Sequence, residues 1–259
     1  RELADACKKY GLKFAVYLSP WDRSRAEYAT PDYLPYFYAQ LRDLLTNYGE
    51  VFEVWFDGAN GGDGYYGGAK DQRTIDRKNY YNYPHIFKML DEIQPNAVVF
   101  GDGGPGCRWV GNEKGFAGET NWAFLRKGEV YPGYPNYHEL TYGHADGNQW
   151  TAAECDVSIR PGWFYHPEED DKVKSPDQLV DLYYRSVGHN ATFLLNFPVD
   201  RDGLIHPVDS ANAIAYRNII QRELSNNLVA GMKARVSSER GGQFTAKALT
   251  DNSWDTYWA

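Results

Sequence analysis

Short apolar runs alternate along this chain with stretches whose apolar residues recur at helical spacing, and few folds accommodate that rhythm. Leu3, Ala6, Cys7 and Tyr10 share one helical face, closed by Gly11, and residues 12–18 then read as a buried strand. Thr30-Pro31 supplies an N-cap and a first-turn proline for a helix that turns Leu34, Phe37, Leu41, Leu44, Leu45 and Tyr48 inward and ends at Gly49. Further strands are expected at 51–56, 97–100, 117–122, 155–159 and 192–197. Helices are expected at 84–93, from Ser175-Pro176 through Val187, and at 207–222.

Strands and helices in alternation argue for a parallel sheet covered by helices. Six strands suit either an open doubly wound sheet or three-quarters of a (β/α)8 TIM barrel. The chemistry-bearing residues favour the barrel. Asp57, Glu119, Trp122, Arg160 and Asn196 fall at or just past the C-terminal ends of strands, where barrel enzymes assemble their sites. No GxGxxG follows the first strand, which weakens the dinucleotide-binding form of the open sheet. The expected fold is therefore α/β, a (β/α)8-like barrel over residues 1–225. Asn226-Asn227 makes a polar break, and 226–259 reads as a linker and the start of a small C-terminal β-domain.

Composition narrows the partners. Aromatic residues make up 16% of the chain, and flat rings cover the C–H faces of sugars, so the excess fits a carbohydrate protein. The net charge of −8 disfavours nucleic acid and anionic membrane surfaces, which repel an acidic protein. No apolar run approaches the roughly 18 residues of a membrane span, and no signal-peptide pattern is present at Arg1. Cys7, Cys107 and Cys155 lack CxxC spacing, and the histidines lack HxxxH or HExxH spacing, so neither a metal nor a cofactor is expected.

Asp57 leaves the apolar strand VFEVWF just before a glycine-rich loop, and Trp55, two residues back, shares its face. A turn aspartate is the plain alternative. Together, the carboxylate and the indole have the character of an attacking and sugar-binding pair. Retaining hydrolysis of a glycoside needs two carboxyl groups roughly 5 Å apart, one ionised and one initially protonated. Asp102, Glu113, Glu119 and Glu154 are candidates for the second. Glu113 lies in the loop CRWVGNEKG, flanked by glycines, with Arg108 close enough in sequence to orient it; a solvated loop glutamate is the alternative. Arg160 and Trp163 straddle a Pro-Gly turn that would aim the indole into a barrel mouth, unless Trp163 serves as a structural plug.

Five segments, ACKKYGLKFAVYLSPWDR (6–23), VWFDGA (54–59), GPGCRWVGNEKGFAGETNW (104–122), CDVSIRPGWFYHP (155–167) and FLLNFPVDRDGLIHP (193–207), resemble the glycoside hydrolase family 29 α-L-fucosidases in content and order. The resemblance implies a (β/α)8-like barrel that hydrolyses terminal fucose with retention and without a metal. It places the nucleophile on Asp57 and, in the branch whose loop reads RWVGNE, the acid/base on Glu113, with α1,3/1,4-linked fucose preferred. Tyr17, Trp55 and Trp163 match positions lining the family's fucose pocket, and Arg108 is expected among them. A fucosylated oligosaccharide or glycoconjugate is the implied partner, and a periplasmic or secreted location the implied address. Another barrel glycosidase, such as an α-galactosidase, or a non-catalytic carbohydrate-binding protein of this fold are the competing readings.

The family contributes pocket histidines and a tryptophan from two strands that precede the segment matched here, so the chain is expected to be a piece of a longer enzyme, inactive and poorly soluble alone. The tail FTAKALTDNSWDTYWA (244–259) resembles the opening of discoidin-like (F5/8 type C) β-sandwich modules, which suggests the start of a C-terminal sandwich.

Overall fold

The computed structural model describes residues 1–58, 60–253 and 255–259; Ala59 of the VWFDGA segment and Trp254 of the tail lie outside the described residues. Six strands form one sheet in which every pairing is parallel: β1 (Val16–Tyr17), β2 (Glu53–Trp55), β3 (Val98–Gly101), β4 (Cys107–Trp109), β5 (Ala152–Ser158) and β6 (Ala191–Asn196), in that spatial order. The sheet curls as a half-barrel: α1 (Glu2–Lys9) precedes it in sequence, α2 (Tyr33–Thr46), α3 (Tyr83–Ile93) and α4 (Pro176–Ser186) fall between its strands, and α5 (Pro207–Leu224) follows it. An antiparallel hairpin, Gly62–Tyr66 with Ala69–Arg73, and a second antiparallel strand pair, Phe124–Leu125 with Gln149–Trp150, stand apart from it.

Helix periodicity was translated into packing most faithfully in α2 and α3. Tyr33, Phe37, Leu41 and Leu45 recur every fourth residue along α2, and all are buried. They meet Tyr83, Ile86, Met89 and Leu90 of α3 together with Val16, Val54 and Val99 from the outer face of the sheet, making the largest core. Val157, Ile159, Leu179 and Leu182 form a second core under α4. The α4 start is a full capping box: Ser175 Oγ accepts from Gln178 N at 3.3 Å, and Gln178 Oε1 accepts from Ser175 N at 2.8 Å.

Three expectations need correction. Residues 117–122 are not a strand; the fourth strand of the sheet is Cys107–Trp109. Ala117, Gly118 and Trp122 instead donate their N–H groups to carbonyls of Arg185 near the end of α4 and of Thr141 and Tyr142 at the end of a 3-10 turn (Tyr137–Thr141), so no strand takes them up. A side chain at Gly118 would collide with the Tyr142 ring, which ties this irregular path to glycine. Helix α2 starts at Tyr33 with Asp32 as N-cap, because Thr30-Pro31 closes a preceding turn in which Tyr33 N donates to Thr30 O at 3.3 Å. In α1 the expected apolar face is open: Leu3 and Tyr10 are exposed, and Ala4 is the buried residue.

Along 226–259 the regular element among the described residues is one short 3-10 turn, Ala246–Leu249. No helix of the described residues is long and apolar enough to cross a membrane.

Candidate active site

Alternation along the strands sends one set of side chains outward to the helices and the other into the half-barrel. The inward set includes Tyr17, Trp55 and Phe100, whose rings lie in one stack: Trp55 and Phe100 are 3.9 Å apart at 8°, and Tyr17 and Trp55 are 5.3 Å apart at 27°. Asp57 follows Trp55 by two residues and accepts a 2.6 Å hydrogen bond from the Tyr17 hydroxyl at Oδ2. Partial burial and the adjoining carboxylate hold the Tyr17 phenol well above its ordinary value, so Tyr17 remains a donor at any working pH.

Asp57 opens onto a cavity of about 480 Å³ lined by Trp55, Gly58, Phe100, Asp102, Trp109, Glu113, Tyr134, Tyr137 and Asp156, among others. Glu113 thus reaches the same cavity from the loop after β4. Its Oε2 accepts from Trp163 Nε1 at 3.3 Å, which brings the indole of the loop after β5 against it. Asn196 Nδ2 in turn donates to Trp163 O at 3.1 Å and to Ser158 Oγ at 3.0 Å, fixing that loop to the ends of β5 and β6.

The candidates for a second carboxyl separate clearly. Asp102 is buried at the cavity wall and receives the Gly133 N–H at 2.7 Å. Burial raises its pKa to about 6, and backbone N–H groups of Gly133 and Tyr134 partly offset the shift. Its carboxyl also fills the space beside Gly58, where a Cβ would come within 2.6 Å of Asp102 Oδ2. Asp102 therefore shapes the loop carrying Asp57. Glu154 accepts from Trp55 Nε1 and from Thr192 Oγ1, each at 3.1 Å, and so sits beneath the aromatic stack. Glu119 is exposed and does not line the cavity. Glu113 is exposed, lines the cavity and accepts from an indole N–H.

Arg108 is not brought to the cavity. It points to the opposite face of β4, fully buried, donating to Leu140 O, Thr151 O and Asn121 Oδ1 at 3.2, 2.9 and 2.6 Å. Burial lowers its pKa to about 10, since a desolvated guanidinium is harder to keep charged. The next residue, Trp109, takes the inward place. Arg160 is likewise structural: its fork donates to both Asp209 oxygens at 2.8 Å, and Asp170 lies at 2.9 Å. Trp122 is exposed on its loop.

Asp156 and Trp109 are two of the cavity residues that sequence reasoning passed over, alongside Arg77, Phe100, Tyr134 and Tyr137. Trp109 Nε1 donates to Asp156 Oδ1 at 2.8 Å. Burial raises the Asp156 pKa to about 7, against the indole hydrogen bond that favours its charged form. A usable signal was present, for Glu154, Asp156 and Ser158 alternate with Ala153, Cys155 and Val157 on a strand buried throughout most of its length.

Glu53, Cys107 and Glu154 bring one possible ligand atom each within 4.8 Å of one another deeper in the half-barrel. Cys107 Sγ lies 3.6 Å from Glu53 Oε1. Burial pushes the Cys107 thiol well above its usual value, and burial together with Glu154 raises the Glu53 carboxyl to about 7. Protonated groups sharing hydrogen bonds account for this cluster, and it offers no ready thiolate.

A family model described as Alpha-L-fucosidase matches residues 1–215. Over 264 residues the chain is 40% identical to Alpha-L-fucosidase 1 of Arabidopsis thaliana, covering all of this chain and 49% of that protein. A crystal structure of a glycoside hydrolase 29 family member from an unknown rumen bacterium superposes with a TM-score of 0.84 at 53% identity, over 94% of this chain and 43% of that one. A Ruminococcus gnavus GH29 fucosidase in complex with fucose superposes with a TM-score of 0.79 at 28% identity, over 99% of this chain and 55% of that one. The chain spans about half the length of the curated relatives it matches.

Proposed function

This chain belongs to the alpha-L-fucosidase family, and we propose that it carries the catalytic centre of a retaining, exo-acting α-L-fucosidase that removes terminal α1,3/1,4-linked fucose from glycans. The observation that carries this reading is that Asp57 and Glu113, from loops after different strands, line one aromatic-walled cavity, each held by a hydrogen bond from an aromatic side chain.

The Asp57 carboxylate attacks the anomeric carbon while the bond from that carbon to the aglycone oxygen breaks. Glu113 delivers its proton to the departing oxygen, leaving a fucosyl ester on Asp57. The Glu113 carboxylate then takes a proton from water, the hydroxide attacks the same carbon, and Asp57 leaves as a carboxylate. Two inversions give net retention. Tyr17 steadies Asp57, the Trp55 and Phe100 rings offer an apolar wall to the sugar, and Trp163 presents an indole beside Glu113. No step needs a metal or an organic cofactor.

The substrate class is a fucosylated oligosaccharide or glycoconjugate, and a secreted or periplasmic location follows from where such glycans occur. Residues 1–225 serve as the catalytic part of a (β/α)8-like barrel. Residues 226–259 serve as a linker and the opening of a discoidin-like β-sandwich. The test is hydrolysis by the intact protein of an aryl α-L-fucoside, an aryl α-D-galactoside and a Lewis-type trisaccharide, with the anomer of the first-formed sugar read by NMR. We expect fucoside cleavage with release of α-L-fucose first. Preference for the galactoside, or initial release of the β-anomer, would overturn the reading.

A further inference from the structure

The cavity contains more carboxyl groups than double displacement uses. Asp57 and Glu113 are assigned to the chemistry, and Asp102 is committed to the Gly133 and Tyr134 backbone. Asp156 remains. It lines the cavity, is 2% exposed, and projects from the middle of β5, the best-paired strand, bonded to β6 through six aligned positions. That placement is rigid, as residues that set recognition geometry tend to be.

A carboxylate offers two oxygens with about four lone-pair directions. Trp109 Nε1 occupies Oδ1 at 2.8 Å, and the Trp109 ring packs on Tyr137, their centres 6.0 Å apart at 30°. The charges of Glu113 and Glu154 oppose its ionisation, while its own backbone N–H and the indole favour it. The same cavity is walled by the rings of Trp55, Phe100, Trp109, Tyr134 and Tyr137, with Arg77 also on its lining. The indole and a backbone N–H leave part of that lone-pair capacity open on the side of the carboxyl that lines the cavity. A ligand rich in hydroxyl groups fills that part.

We propose that Asp156 is a specificity-determining residue that holds one ring hydroxyl of the bound glycosyl unit, using Oδ1 to set the Trp109 wall and its remaining capacity to bind the sugar. This rests on the reading of the cavity as a fucoside pocket. As a neutral acid it donates to the hydroxyl oxygen, and as a carboxylate it accepts from the hydroxyl hydrogen, so the contact survives either protonation state. A site built to bond a hydroxyl penalises the analogue lacking it, because its own polar group is then left unpaired.

The experiment compares kcat/KM of the intact wild-type protein and of Asp156→Asn, Asp156→Leu and Trp109→Phe on an aryl α-L-fucoside and on its 2-, 3- and 4-deoxy forms. Intrinsic reactivity differences among the deoxy sugars cancel when each variant is divided by the wild type. We expect Asp156→Leu to lower kcat/KM on the parent by about 100-fold or more and to leave one deoxy substrate nearly unaffected, so that the wild-type penalty for that one hydroxyl collapses. Asp156→Asn should fall between. Trp109→Phe should slow all four substrates alike and keep the penalty, because the carboxyl remains. Equal losses on all four substrates in the Asp156 variants, matching Trp109→Phe, would show that Asp156 only props the indole and would overturn the proposal. A wild-type protein inactive on the parent fucoside would instead remove the reading beneath it, and the proposal with it.

Discussion

The Tyr17 hydroxyl donates to Asp57 Oδ2 across 2.6 Å, joining the end of β1 to the end of β2 at the mouth of the half-barrel. A hydrogen bond to an ionised group contributes about 1.5–3 kcal/mol, and here it holds Oδ2 of the carboxylate proposed to attack the sugar. Tyr17→Phe keeps the ring against Trp55 and removes only the donor. Since about 1.4 kcal/mol is tenfold in rate, kcat should fall about 10- to 100-fold with KM changed little. A KM rise at constant kcat would mean that Tyr17 serves binding alone.

Removing the attacking group should have the largest effect of any single change. Asp57→Ala is expected to lower turnover of an aryl α-L-fucoside by several orders of magnitude, because no fucosyl ester can form. Azide should restore activity and yield a β-L-fucosyl azide, the product of one inversion. Glu113→Ala should spare substrates with good leaving groups and yield an α-L-fucosyl azide, since the ester still forms. Detection of the same azide anomer from both variants would exclude this division of labour.

Gly58 has no room for a methyl group: its Cβ would stand 2.6 Å from Asp102 Oδ2. Asp102 cannot retreat easily, being buried and held by the Gly133 N–H. Gly58→Ala should therefore shift the turn that carries Asp57, and misplacement of about 1 Å can cost about 100-fold in rate. We expect kcat/KM to drop by about tenfold or more with the thermal midpoint lowered only slightly. A fully active Gly58→Ala protein would show that the turn has slack.

Arg160 and Asp209 form a fully buried bidentate pair beneath the loop that bears Trp163. Removing one partner of a buried pair strands the other charge, at a cost of about 3–5 kcal/mol. Asp209→Ala should lower the denaturant midpoint accordingly. It should also weaken turnover, because the displaced loop takes Trp163 from Glu113. A variant of unchanged stability would mean that Asp170, 2.9 Å from the same guanidinium, suffices.

Burial lifts the carboxyl pKa of Asp102 to about 6 and that of Asp156 to about 7, both above the unfolded value of about 3.9. Between the two values the native state binds more protons than the unfolded chain, so stability falls as pH rises. Their contribution is complete below about pH 4 and is lost progressively as pH passes the folded values. The thermal midpoint of Asp156→Asn should decline less steeply between pH 5 and 7 than that of the wild type. Parallel slopes would place the proton uptake elsewhere.

Much of this was legible before the coordinates. The alternation of apolar runs and helical stripes fixed a parallel sheet clothed in helices, and the apolar spacing in α2 and α3 translated directly into buried faces. Trp55 and Asp57 could be paired because a strand repeats every two residues. What escaped was short or masked by composition. β4 is three residues long inside a glycine-rich stretch, too brief for periodicity, and Ala117–Trp122 has a strand's length but carries a glycine and bonds to carbonyls at the ends of α4 and of a 3-10 turn. Without β4, which of Arg108 and Trp109 faces inward could not be decided, and charge made Arg108 the natural choice. Its buried hydrogen bonds to backbone carbonyls come from loops far away in sequence.

β1 enters the ladder through two residues, with Val16 opposite Val54 and Tyr17 opposite Trp55. Because side chains on a strand point alternately to its two faces, sliding β1 by a single position would swing the phenol out toward α2 and bring a valine to the nucleophile. So slight a pairing resists slippage through the Val16 anchor in the outer core, the ring stack on Trp55, the Tyr17–Asp57 hydrogen bond and the flanking backbone bonds of Leu18 N to Trp55 O and Phe52 N to Phe14 O. Together these contacts act as a ratchet pawl, and whether the Tyr17 hydroxyl reaches Asp57 at all depends on its having clicked home.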